Sequence, residues 1–149
     1  MRLATAFGAV LLIASACSAP ASTASGARTI EIEMKEFAFS PPRLTLNAGE
    51  KVTLRFRNAG TVEHEFMAGR EARPSEGFAQ DVLAGITLDM TGGAGHMDGM
   101  GHGGGGMRMN AGQAGTLAFV VPDRKGSYEF GCFVAGHYEG GMKGTLVIE

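Results

Sequence analysis

Through most of the chain, apolar and polar residues alternate with period two. Thr29-Ile30-Glu31-Ile32-Glu33-Met34 carries the pattern first and predicts a strand with one wet face. Leu44-Thr45-Leu46 repeats it and runs into Asn47-Ala48-Gly49-Glu50, whose residue types favour a turn. Lys51 to Arg57 alternates cleanly, with Val52, Leu54 and Phe56 on the inward side. A second turn at Asn58-Ala59-Gly60 leads into a strand over Val62 to Met67. The alternation returns at Gly115 to Val121, Gly126 to Phe130 and Gly144 to Glu149. Beyond the first residues, no stretch of twelve shows a helical stripe. Short strands separated by Gly, Pro and Asn turns predict an all-β antiparallel sandwich.

Two regions depart from this pattern. At the start, Arg2, the apolar run Leu3 to Ile13 and the small residues Ala14-Ser15-Ala16 read as a signal peptide over residues 1–16. The run is too short to span a membrane as a stable helix. Ile13-Ala14-Ser15-Ala16-Cys17 also looks like a lipobox, although Ala14 stands where Leu or Val is usual. Plain cleavage and a diacylglycerol on Cys17 therefore both stand, and the protein is expected to be exported, either periplasmic or lipid-anchored. Small and polar residues make 17–28 a flexible tether, which leaves 29–149 as one domain. The second departure lies at Met90 to Met109, which holds five of the nine methionines and two of the four histidines among many glycines. That composition predicts a disordered insertion over about 90–110 with neither helix nor strand.

Charge narrows the partners. The formal net charge of −2 becomes −3 once Arg2 is cleaved away, and the chain has no basic run and no Trp. Nucleic acid is excluded on that footing. A monomer is expected, touching a membrane only through the anchor. Cys17 and Cys132 are the two cysteines, and Cys17 sits on the leader, a poor place for a structural disulfide. Cys132 is then a lone thiol in an oxidising compartment and calls for another role.

That role is suggested by the run from Cys132 to Met142. Cys132, His137 and Met142 are spaced Cys-x4-His-x4-Met around one glycine-containing loop between two strands. A thiolate, an imidazole and a thioether from one tight loop can converge on a single ion, and His64, at a strand start, is the candidate fourth ligand. Two imidazoles, a thiolate and a weak thioether suit copper, whereas structural zinc sites are closed by Cys and His alone.

These residues, together with Phe39-Ser-Pro-Pro-Arg-Leu44, Asn47-Ala-Gly49 and the spacing from Asn58 to His64, resemble the cupredoxins, or blue copper proteins, over about residues 29–67 and 113–149. The Cys-to-His and His-to-Met steps look most like the rusticyanin and sulfocyanin type. The resemblance implies a Greek-key β-sandwich of about eight strands. It also implies one type 1 copper, with His64 and His137 equatorial, Cys132 the short thiolate ligand and Met142 axial. In this family the residue after the upstream histidine is often Asn or Ser and braces the cysteine loop. Here it is Glu65, a carboxylate expected to favour the oxidised ion.

The function expected from this site is one-electron transfer between Cu(II) and Cu(I), without catalysis. The partner would be a transiently docked redox protein such as a cytochrome or oxidase, meeting an apolar patch of Phe133, Val134 and Ala135. Binuclear purple sites need two cysteines in one loop, and multicopper oxidases need further histidines and domains. The alternative function is an exported copper chaperone or a copper-resistance and buffering protein. The methionine-rich insertion has two readings: a solvated linker, or a second, labile copper site on His96, Met97, Met100, His102, Met107 and Met109.

Overall fold

The computed structural model describes residues 26–73, 75–92 and 106–149. The signal peptide, Cys17, His96, Met97, Met100 and His102 lie outside the described residues. Eleven strands follow in chain order among those described: β1 (Arg28–Lys35), β2 (Ala38–Ser40), β3 (Arg43–Leu46), β4 (Lys51–Asn58), β5 (His64–Arg73), β6 (Gly77–Asp81), β7 (Asp89–Gly92), β8 (Gly106–Met109), β9 (Ala114–Val120), β10 (Gly126–Gly131) and β11 (Lys143–Ile148).

They form two sheets, ordered β2-β1-β4-β9-β7 and β3-β11-β10-β5-β6. β8 joins the second sheet beside the first half of β5, on the edge that β6 takes further along. This is the expected Greek-key sandwich with two corrections: eleven strands are described where about eight were expected, and the pairing is not antiparallel throughout. The sheets are mixed, because β1 runs parallel to β4 and β3 parallel to β11. Period two does not report strand direction, so the alternation could not distinguish these pairings.

The inward residues are those the alternation selects. Val52, Leu54 and Phe56 of β4, with Leu117 beside them on β9, share one buried core with Leu44, Leu46 and Ile148 of the second sheet. An aromatic stack runs through its centre, with Phe39 against Phe130 at 5.2 Å and Phe56 against Phe66 at 4.9 Å between ring centroids. Aromatic pairs at such spacing gain about 0.5–1.5 kcal/mol beyond the area they bury.

The insertion is shorter than its composition suggests. Its two ends are strands: β7 pairs with β9, and β8 pairs with β5 in the register His64 opposite Met109 and Glu65 opposite Arg108. Glycine lowers strand propensity, but Met107 and Met109 alternate with Arg108 and bury both thioethers in the core. Burial of two large side chains outweighs the entropic penalty of their glycine neighbours.

Candidate metal centre

The second sheet carries the candidate ligands to one end of the sandwich. His64 opens β5, and Cys132 follows the last residue of β10. The loop between β10 and β11 is closed at its neck by Cys132 N–H donating to Met142 C=O at 3.1 Å. Inside it, Met142 N–H donates to His137 C=O and His137 N–H to Val134 C=O, each at 2.9 Å. Gly141 adopts φ +100°, a backbone conformation that permits this return.

Three donor atoms meet there. His64 Nδ1 and His137 Nδ1 are 3.2 Å apart, and Cys132 Sγ is 3.3 Å from His137 Nδ1. His64, Cys132 and His137 are the described group of metal-ligating side chains whose donor atoms all lie within 4.8 Å of one another. Donors held 2.0–2.3 Å from a shared ion in a trigonal array stand about 3.5–3.8 Å apart, so this group is close to the spacing a copper ion needs. His64 and Cys132 are fully buried, and His137 keeps 8% exposure. Met142 is also fully buried, and its backbone is tied to both Cys132 and His137.

Burial sets the electrostatics of the metal-free site. It pushes the Cys132 thiol up to about 11, against the hydrogen bond from Glu65 N–H that lowers it. Burial also holds His64 below the ordinary imidazole range, with the neighbouring His137 adding to that and Glu36 opposing it. The group therefore presents a protonated thiol, and a cation is needed to draw the thiolate out.

A family model described as a cupredoxin-like domain matches residues 5–75. The copper-resistant cuproprotein CopI of Rubrivivax gelatinosus is 33% identical over 130 residues, covering 87% of this chain and 71% of CopI. The CopI of Pseudomonas aeruginosa is 30% identical over 147 residues, covering 87% of this chain and 81% of that protein. The chain is a cupredoxin. Among solved structures, auracyanin B superposes with a TM-score of 0.58 at 24% identity, covering 84% of this chain and 91% of its own. Rusticyanin from Thiobacillus ferrooxidans gives 0.53 at 16% identity, covering 83% and 79% respectively.

Copper is the metal of this family, and the donor set and spacing in the cupredoxin fit it. Glu65 occupies the bracing position. It is only 2% exposed, its Oε1 accepts the Phe133 N–H at 2.8 Å, and its Oε2 accepts Arg108 Nη2 at 2.7 Å. Its backbone N–H donates to Cys132 Sγ at 3.4 Å. The carboxylate thus does the work of the usual amide or hydroxyl. Arg108, which also pairs with Glu63 at 3.3 Å, offsets its charge. The expected bias toward oxidised copper is correspondingly reduced.

Two sequence expectations are corrected. Phe133 is not a docking residue: it is buried in a small second cluster with Met67 and Phe78, stacked on Tyr138 at 4.7 Å. Its sequence neighbour Cys132 is fixed by that packing. The exposed aromatic near His137 is Phe37, 48% exposed and edge-on to the imidazole at 5.4 Å. Met107 and Met109 lie on β8 with both side chains buried in the core, not on an exposed loop, and the other four residues of the second candidate site lie outside the described residues. Sequence reasoning missed Arg108, Glu36 and Phe37. For Arg108 a signal existed, since Met107-Arg108-Met109 is itself a period-two strand fragment.

Proposed function

We propose that this cupredoxin is a mononuclear type 1 copper protein serving copper resistance outside the cytoplasm, in which His64, Cys132, His137 and Met142 would hold the ion. The buried convergence of two Nδ1 atoms and one Sγ carries this reading. Relatives that match 87% of the chain bear the name copper-resistant cuproprotein, which supports the physiological half. Copper when bound supplies one-electron chemistry. The chain's own part is to hold its donors in place before the metal arrives. The Cys132–Met142 neck and the Phe133–Tyr138 stack fix the loop, and Glu65 N–H steadies the sulfur. A site held this way changes little between oxidation states, so reorganisation is small.

The same geometry suits electron transfer to a transient redox partner. Phe37, exposed and in edge contact with His137, favours that second reading. Copper tolerance separates the two. Cells lacking the protein should lose growth at elevated copper and regain it with the wild-type chain, but not with His64→Ala or Cys132→Ser. Unchanged tolerance together with slowed respiratory electron flow would favour the carrier. Export, with or without lipid on Cys17, belongs to this proposal and is checked by fractionating the cells.

A further inference from the structure

His64 has two ring nitrogens, and only Nδ1 faces the other donors. Its Nε2 is buried and has no hydrogen-bond partner. A histidine that ligates through one nitrogen carries its proton on the other, and that N–H needs an acceptor that fixes the ring and strengthens it as a donor. The nearby acceptor comes from the turn between β1 and β2. We propose that the Glu36 carboxylate is the outer partner of His64, accepting a hydrogen bond from His64 Nε2–H when the site is loaded. This rests on the assignment of His64 as a copper ligand.

Three observations converge on it. First, Gly60 leaves a gap onto which both groups face. A methyl group at Gly60 would lie 2.7 Å from His64 Nε2, 2.7 Å from Glu36 Oε1 and 2.9 Å from Glu36 Oε2. The carboxylate and the orphan nitrogen therefore flank one small space that any larger residue would fill. Second, Glu36 is anchored there. Its Oε1 accepts both Thr61 N–H and, at 2.9 Å, Thr61 Oγ–H. These bonds hold the carboxylate in place beside the gap. Third, the turn holds a conformation its residues do not prefer. Phe37 has φ +57°, the left-handed region that a bulky L-residue rarely adopts. Backbone strain of this kind persists where surrounding contacts over-determine it, commonly beside functional groups. Here it sets Glu36 toward His64 while Phe37 meets His137.

The chemistry gives a direction. A carboxylate accepting from Nε2–H pushes electron density into the ring, strengthens His64 as a donor and favours the more highly charged copper. Glu36→Gln keeps an acceptor but loses the charge. Gly60→Ala keeps the charge but displaces the carboxylate, and leaves Glu36 itself intact should the first variant fold poorly.

The test uses the full protein loaded with Cu(I), which is diamagnetic, and labelled with nitrogen-15 at histidine. In the wild type the His64 Nε2–H should be observable and slow to exchange. Gly60→Ala should speed that exchange at least tenfold, whereas Glu36→Gln should largely preserve it. In Glu36→Gln the preference for Cu(I) over Cu(II) should rise about tenfold, which is about 59 mV in potential. Glu31→Gln, an exposed carboxylate on the adjoining strand β1, serves as the control for charge alone. A normal type 1 spectrum with exchange and potential unmoved in both variants would overturn the Glu36 partnership and leave the ligand assignment standing. So would a Glu31→Gln shift as large as that of Glu36→Gln. A wild type that forms no type 1 spectrum would overturn the ligand assignment and this inference with it.

Discussion

Glu65 shows how one side chain joins the fold to the site. Its two oxygens hold the Phe133 amide and Arg108, and its own N–H reaches Cys132 Sγ. Removing the carboxylate leaves a buried N–H unpaired and a partly buried guanidinium without one of its two acids. Glu65→Ala should therefore cost about 2–3 kcal/mol in denaturant unfolding of the metal-free protein, while Glu65→Gln, which can still accept from Phe133, should cost less. Equal losses would assign the effect to packing. Cys132 gives a pH dependence. Because burial raises its thiol to about 11, the thiol is protonated at neutral pH and must release that proton to become a ligand. Copper uptake should therefore liberate about one proton per ion, and affinity should rise about tenfold per pH unit between neutrality and that value. Calorimetry in buffers of differing ionisation enthalpy reads this directly. Uptake without proton release would mean that the thiol does not bind the metal.

At the scale of elements, β7 and β8 revise the meaning of the methionine-rich region. Both strands belong to the sandwich, and β8 brings Arg108 to Glu65 and Met109 beside His64. Replacing residues 93–105 with a Gly/Ser linker of equal length should leave the copper spectrum and the folding stability unchanged, because both strands remain. Removing 90–109 should damage both. If the linker variant keeps its spectrum but takes up less Cu(I), the intervening segment handles copper. Most strands were legible because alternation survives wherever one face is buried, as in Val52, Leu54 and Phe56. β8 escaped notice because glycines surround its short Met-Arg-Met alternation. The parallel pairings escaped because side-chain period carries no strand direction. Asn58 read only as a turn residue, yet its buried side chain holds Val62 C=O at 2.8 Å, Met109 C=O at 3.0 Å and Gly60 N–H at 2.9 Å. That network ties the approach to His64 to the end of β8.

For the whole molecule, the sandwich brings groups distant in sequence to one end. Cys132, His137 and Met142 were legible together because a single loop carries them, and His64 because its turn and strand match the family pattern. Glu36 and Phe37 were not, since their relation to the site arises only when the β1–β2 turn folds over both histidines. Such contacts leave no periodicity to read. The scaffold also explains why a metal site persists in a buried core. A protonated thiol costs less to bury than a thiolate would, and the thiolate forms only against the ion. The central claim, one copper held by Cys132 with two histidines, is tested by adding stoichiometric Cu(II) to the purified protein. Visible and electron paramagnetic resonance spectra are recorded beside those of Cys132→Ser. The proposed site should give an intense thiolate-to-copper band with narrow copper hyperfine splitting, bleached by ascorbate and absent from the variant. A pale solution with the same ordinary copper spectrum in both proteins would contradict it.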